Sequence, residues 1–193
     1  LGNENWLKVE NDDGQEEGYT LFAPTNEVLK NYLNTVLLQY YAKLPRTDEN
    51  LYKNLADLPV SILTDFLNAH MYTGTDWPSK FGTVSNISGE KATFNPDDAS
   101  IVIDRQFCSN GLFYGVNDVQ HANVFSTVYG RAYLDPAYSM MTKLLDLTIK
   151  SAITTPGSHF TVFMISDAAL NAMGYTYDST IGAFSQTVNN IKT

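Results

Sequence analysis

The chain has 193 residues, 44% hydrophobic and 17% charged, which supplies enough apolar material for a packed core and argues against disorder. A formal net charge of -9, with no Lys/Arg cluster, speaks against binding nucleic acid or an anionic membrane, because both need a basic field. The unbroken apolar runs fall far short of a membrane span, and the single cysteine, Cys108, excludes an internal disulfide or a CxxC pair.

Residues 1–18 are polar. Glu10, Asp12, Asp13, Glu16 and Glu17 surround Gly14 and Gly18, which reads as a solvated loop with a short strand near Trp6–Val9. A calcium loop is the alternative, but the alternating acidic ligand spacing is missing. Tyr19–Ala23 is aromatic and β-prone, so a buried strand is expected there. Pro24 stops it. Thr25 or Asn26 then caps an amphipathic helix over 26–42, with Glu27 favourably placed in its first turn.

Asp48 caps a shorter helix, and Pro59 opens the next at its first turn. Ile62, Leu63, Phe66, Leu67 and His70 share one face of that helix, and Gly74 stops it. Residues 75–100 are rich in Gly, Ser, Asn and Asp, with β-prone pieces at Thr83–Ile87 and Ala92–Phe94. Ile101–Ile103 and Gln106–Cys108 read as a strand, with Cys108 a small buried residue on it; a reactive thiol is the alternative. Asn110-Gly111 reads as a hairpin turn and Leu112–Val116 as the return strand.

From residue 123 the pattern turns helical again. Asp135-Pro136 is an N-cap followed by a first-turn proline, and Tyr138, Met141, Leu144, Leu145, Thr148 and Ile149 form the expected inward face. After the turn Thr155–Ser158, the junction at Tyr19–Leu29 recurs as Phe160–Leu170, with Ser166 or Asp167 capping. Beyond Gly174 the chain reads as a polar drift. Strand, helices and then a β meander indicate an α+β class rather than alternating βαβ units.

Three blocks carry a resemblance to a known family. Tyr19–Asn26 (YTLFAPTN) is similar to the first signature of the fasciclin-like domains. Ile62–Gly74 is similar to the second, and Ser109–Val119 to the terminal hairpin. The resemblance implies helices packed against a β-sandwich or wedge of short, mostly antiparallel strands. It implies a fasciclin-like domain over 1–124 without its opening helix, then the front half of a second repeat over 125–193 that lacks its β half. In that frame Thr25, Asn26, His70, Asn110 and Gly111 are structural-motif residues. Ala69 stands where the family has the tyrosine of a tyrosine–histidine pair, so the integrin binding linked to that pair is not carried over.

No G-x-S-x-G elbow, P-loop, G-x-G-x-x-G or H-E-x-x-H occurs, so no cofactor and no metal is expected. His70, on an apolar helix face, reads as a buried histidine bonded to nearby backbone; the alternative is a hydrolase using it as base. His121 and His159 read as loop residues. Tyr72, Asp76 and Trp77 follow the His70 helix in one loop, and an aromatic pair beside a carboxylate is one form of sugar platform. Asn86-Ile87-Ser88 is a formal glycosylation sequon.

The expected function is therefore a non-catalytic adhesion or interaction module that binds an extracellular protein or a polysaccharide. A glycan-binding accessory protein of a nutrient-uptake system is the alternative. The family setting implies a secreted, periplasmic or cell-surface location, with a lipid anchor outside this chain.

Overall fold

A computed structural model describes residues 9–10, 16–38, 54–188 and 191–192. The strand start at Trp6, the loop with Asp12 and Asp13, the first helix beyond Leu38 and the cap at Asp48 lie outside the described residues. The described residues fall into two compact units. One runs to Val36 and resumes over Asn54–Ala122; the other takes Leu37 and Leu38 and everything from Asn123 on. The expected boundary lay at 124/125.

The first unit is built on a four-stranded sheet. Two short strands, β1 (Val9–Glu10) and β2 (Glu16–Glu17), pair antiparallel before it. β3 (Tyr19–Pro24) occupies the interior of the sheet, with strand order β4-β3-β6-β5. β4 (Met71–Thr73) runs antiparallel to β3, β6 (Gly111–Val116) runs parallel to it, and β5 (Val102–Cys108) closes the edge antiparallel to β6. The α+β class stands. The four-stranded sheet is mixed, with a parallel central pairing between β3 and β6.

The local reasons are readable. Thr25, extended at φ -61° and ψ 155°, accepts from the Val28 amide at 3.5 Å and starts α1 (Asn26–Tyr32). The helix then widens into a π-helical turn over Leu33–Leu37, where Thr35 Oγ1 donates back to the Asn31 carbonyl at 2.8 Å. Such back-bonding bends helices. Asn54 caps a 3₁₀ turn at Leu55–Asp57 with a reciprocal capping box. Pro59 precedes α2 (Val60–Ala69), which ends at His70.

Phe22 is the centre of the core. It is fully buried, with ring centroids of Phe81, Phe94, Tyr114 and Tyr72 at 5.0–5.5 Å. Edge-to-face and tilted contacts at this spacing add to plain area burial.

Several expectations change here. β4 exists because β3 supplies its ladder, so Tyr72 is a strand residue and not a loop residue. Thr83–Ile87 and Ala92–Phe94 are not strands, and their backbone is bonded in other ways. Lys91 Nζ donates to the Thr83 and Val84 carbonyls, the Ile87 amide donates to the Met71 carbonyl, and the Thr93 amide donates to the Gln120 side chain. Asn86 donates to the Ala69 carbonyl and accepts from the Glu90 amide, and Gln120 donates to the Lys91 carbonyl. Cys108 lies on the outermost strand and is exposed, not interior.

The hairpin loop is Ser109-Asn110, because Cys108 pairs with Gly111. Gly111 is the first strand residue, at φ 145°, and a Cβ there would stand 1.8 Å from the Tyr19 carbonyl oxygen. The Asn110 carbonyl accepts from the Tyr19 amide at 2.8 Å, so this corner locks β3 to β6.

The second unit is mainly helical at its start. α3 (Asn123–Ser126), α4 (Val128–Tyr133), a 3₁₀ turn at Pro136–Tyr138, α5 (Ser139–Thr148) and α6 (Lys150–Ile153) follow in order. Tyr129, Ala132, Leu145 and Ile153 form its core. Asp135 caps the 3₁₀ turn through the Ala137 amide at 2.9 Å. The inward face of α5 is Met140, Thr142 and Leu145, rotated from the expected one, and Thr148 and Ile149 are exposed.

Residues 160–165 carry no strand. Ser166 nevertheless caps α7 (Asp167–Ala172) through the Ala169 amide at 3.3 Å. The tail is no polar drift: β7 (Tyr175–Asp178), β8 (Ala183–Val188) and β9 (Ile191–Lys192) form an antiparallel meander.

Candidate functional site

His70 ends α2 at 1% exposure, with both ring nitrogens occupied. Nδ1 lies 2.8 Å from the Phe66 carbonyl, and Nε2 lies 3.1 Å from the Gln120 amide. A carbonyl only accepts and an amide only donates, so the ring is neutral with its proton on Nδ1. Burial is the main reason its pKa falls to about 4; the Phe66 carbonyl opposes that shift and His121 adds to it. The residue ties the end of α2 to the segment around Gln120. While both bonds are kept, neither ring nitrogen is free to accept a substrate proton.

Tyr72, Asp76 and Trp77 do not form one platform. Tyr72 is fully buried in the aromatic core, and burial, reinforced by the carboxylates of Asp76 and Glu90, raises its phenol pKa. Asp76 is 4% exposed. Only Trp77 reaches solvent, at 52% exposure. The strand alternation of β4 takes Tyr72 inward, and the loop after it is bolted to the sheet. Thr20 Oγ1, buried on β3, donates to the Gly74 carbonyl at 2.9 Å and accepts from the Asp76 amide at 2.8 Å. The Tyr114 hydroxyl donates to the Asp76 carbonyl at 3.1 Å.

Trp77 therefore sits between two fixed points. One is the Asp76 backbone; the other is Phe81, which follows the 3₁₀ turn at Pro78–Lys80 and is buried in the core. Its indole lies parallel to the ring of Phe107 on β5, at 6.3 Å between centroids and 3° between planes. Phe107 is 73% exposed. On the same edge strand Arg105 donates to the Pro96 carbonyl at 2.7 Å and lies 4.0 Å from Asp97. The result is an exposed aromatic step with a cation and a carboxylate beside it, on a rigid frame.

Sequence reasoning found Trp77 but missed Phe107. The alternation of Arg105 and Phe107 on one face was the available signal, obscured by the register shift between Val102 and Asp104. It also missed Thr20, Asn86 and Gln120 as buried polar organisers. Asn86 is 4% exposed and its amide is engaged at both ends, so the sequon serves structure in the folded chain. Thr25 caps α1, and Asn110 and Gly111 hold the corner against β3, as described above. Asn26 is the first residue of α1 and is exposed.

Among the described residues no helix is long and apolar enough to cross a membrane, and no group of three or more His, Cys, Asp or Glu could hold a metal ion. Comparison with protein-family models, curated proteins and solved structures returns no match to this chain.

Proposed function

We propose that this chain is a non-catalytic interaction module of fasciclin-like type, working outside the cell or in the cell envelope, that binds a protein or polysaccharide partner. The observation that carries the reading is the exposed, parallel Trp77–Phe107 pair held by the Thr20 and Tyr114 hydrogen bonds. Exposed aromatics on a fixed backbone supply contact area at little conformational cost, and such residues dominate the energetics of interfaces. The three sequence blocks, in order, support the family; a tether outside this chain and the envelope location rest on that same resemblance. The commitment of both His70 nitrogens supports a non-catalytic role.

The test uses films of an extracellular-matrix protein and of an envelope polysaccharide, with retention of the full chain measured on each. The wild type is expected to be retained on one of them. Trp77→Ala with Phe107→Ala should weaken that retention by roughly 30-fold or more, the scale of an interface hot spot. Equal retention of the double variant would overturn the assignment of the surface.

A further inference from the structure

The second unit carries a concave site of its own. A cavity of about 380 Å³ opens between the segment that starts α3 and α4 and the turn following α6. That volume lies within the range of small-molecule sites, about 300–1,000 Å³. Its polar lining includes Asn123, Thr127, Thr155 and Ser158, with Phe160 beside them. The buried Ile153 adds apolar surface.

Thr127 is the informative residue. It holds the N-cap position of α4, at φ -97° and ψ 176°, yet its side chain makes no capping bond. Its Oγ1 is buried and has no hydrogen-bond partner among the described residues. A buried hydroxyl without a partner is costly, and such groups are uncommon in folded chains. A hydroxyl can both give and take a hydrogen bond, as can the serine hydroxyls and the asparagine amide.

Charge narrows the ligand class. Among the described residues lining the cavity there is no Lys, Arg, Asp or Glu, so neither a phosphate or carboxylate nor an ammonium group would meet a counter-charge. Phe160, 43% exposed, offers a flat apolar face. Neutral donors and acceptors beside an aromatic face match a molecule that is polar at its edges and presents C–H groups on its flat side. We propose that this cavity binds a neutral sugar residue, in the free form or at the end of a glycan. The site is independent of the Trp77–Phe107 surface and does not rest on that reading.

The test is protein-observed NMR titration of the full chain with glucose, galactose, mannose and N-acetylglucosamine, each alone. At least one should give saturable shifts at the amides of 123–128 and 158–160. Thr127→Val, which keeps the shape and removes the hydroxyl, should weaken it about tenfold. Phe160→Ala, at an exposed position, should also weaken it and stands in if Thr127→Val fails to fold. The shifts at 123–128 and 158–160 should persist in Trp77→Ala. Absence of saturable shifts with all four sugars would overturn the proposal, as would binding undiminished in the Phe160→Ala chain. Tighter binding of glucose 6-phosphate than of glucose would overturn the neutral assignment.

Discussion

The same eleven-residue pattern occurs twice, at Tyr19–Leu29 and Phe160–Leu170, and folds two ways. In the first copy it makes a strand with a partner on each side, a cap and a helix. In the second it makes only the cap and the helix. Thr25 and Ser166 both accept from the amide three residues on. Phe22 is fully buried, whereas its counterpart Phe163 is 86% exposed. The inward residues have even changed phase: Thr20 and Phe22 are buried in the first copy, while Val162 and Met164, counterparts of Leu21 and Ala23, are the half-buried ones in the second. Capping is written in four neighbouring residues. A strand is written in its neighbours across the sheet, so the same letters do not guarantee it.

Glycine separates the two units most sharply. Gly111 sits at the corner that locks β3 to β6, and a Cβ would collide with backbone at 1.8 Å. Gly157, in the turn before the second copy, has φ 80° and nothing within 4 Å of the added carbon. Gly111→Ala should cost about 4 kcal/mol or more, enough to unfold a marginal unit. Gly157→Ala should cost only the left-handed strain, roughly 1–2 kcal/mol. Chemical denaturation of both variants measures the pair; similar losses would mean that the corner does not hold the sheet.

The two phenylalanines come next. Phe22→Ala opens a cavity among four aromatic rings and should cost roughly 3–5 kcal/mol. Phe163→Ala removes an exposed ring and should fall within about 0.5 kcal/mol of the wild type. If Phe163→Ala proves as costly as Phe22→Ala, the second copy is a packed strand in solution and the contrast fails.

What was legible follows the same division. Caps, turn glycines and the helix starts at Asn26 and Asp167 depend on local chemistry, and the residues announce them. β4 and the phase of residues 160–165 depend on what lies beside them, and no window of sequence contains that. The inward face of α5 was misjudged for a related reason. Of the two capping candidates, Ser166 caps α7, while Asp167 accepts from the Ser139 hydroxyl and the Met140 amide at the start of α5, so a contact across 27 residues anchors that helix. Of the candidate site, Trp77 stood out as an aromatic in a loop. Tyr72 and Asp76 read the same way until β4 turned one inward and Thr20 drew the backbone of the other down.

His70 gives the first unit a dependence on pH through a buried residue. Its folded pKa is about 4, below the ordinary value of 6.5, because burial disfavours the charged ring. Between those values the unfolded chain binds a proton that the folded chain does not, so folding stability falls as pH drops from 6.5 towards 4. The loss is on the order of 3 kcal/mol across that window. His70→Gln should flatten this part of the stability–pH curve, whatever it does to stability at pH 8. An unchanged slope in the variant would show that other groups set the acid response.

The smallest effect is the most discriminating test of the local half of the comparison. Thr25→Ala and Ser166→Ala each remove one capping bond, of 3.5 Å and 3.3 Å. Both bonds are long, so each loss should be near the low end for a cap, about 0.5–1 kcal/mol. The two values should agree within error although a strand precedes Thr25 and none precedes Ser166. Hydrogen exchange at the first-turn amides of α1 and α7 reads each cap separately, which global unfolding does not. If Thr25→Ala were several-fold more damaging, the cap in the first unit would be coupled to the sheet. The Thr25 amide gives a physical route for that coupling: it already donates to the Val116 carbonyl at the end of β6. Alanine keeps that backbone bond, so near-equality remains the expected result.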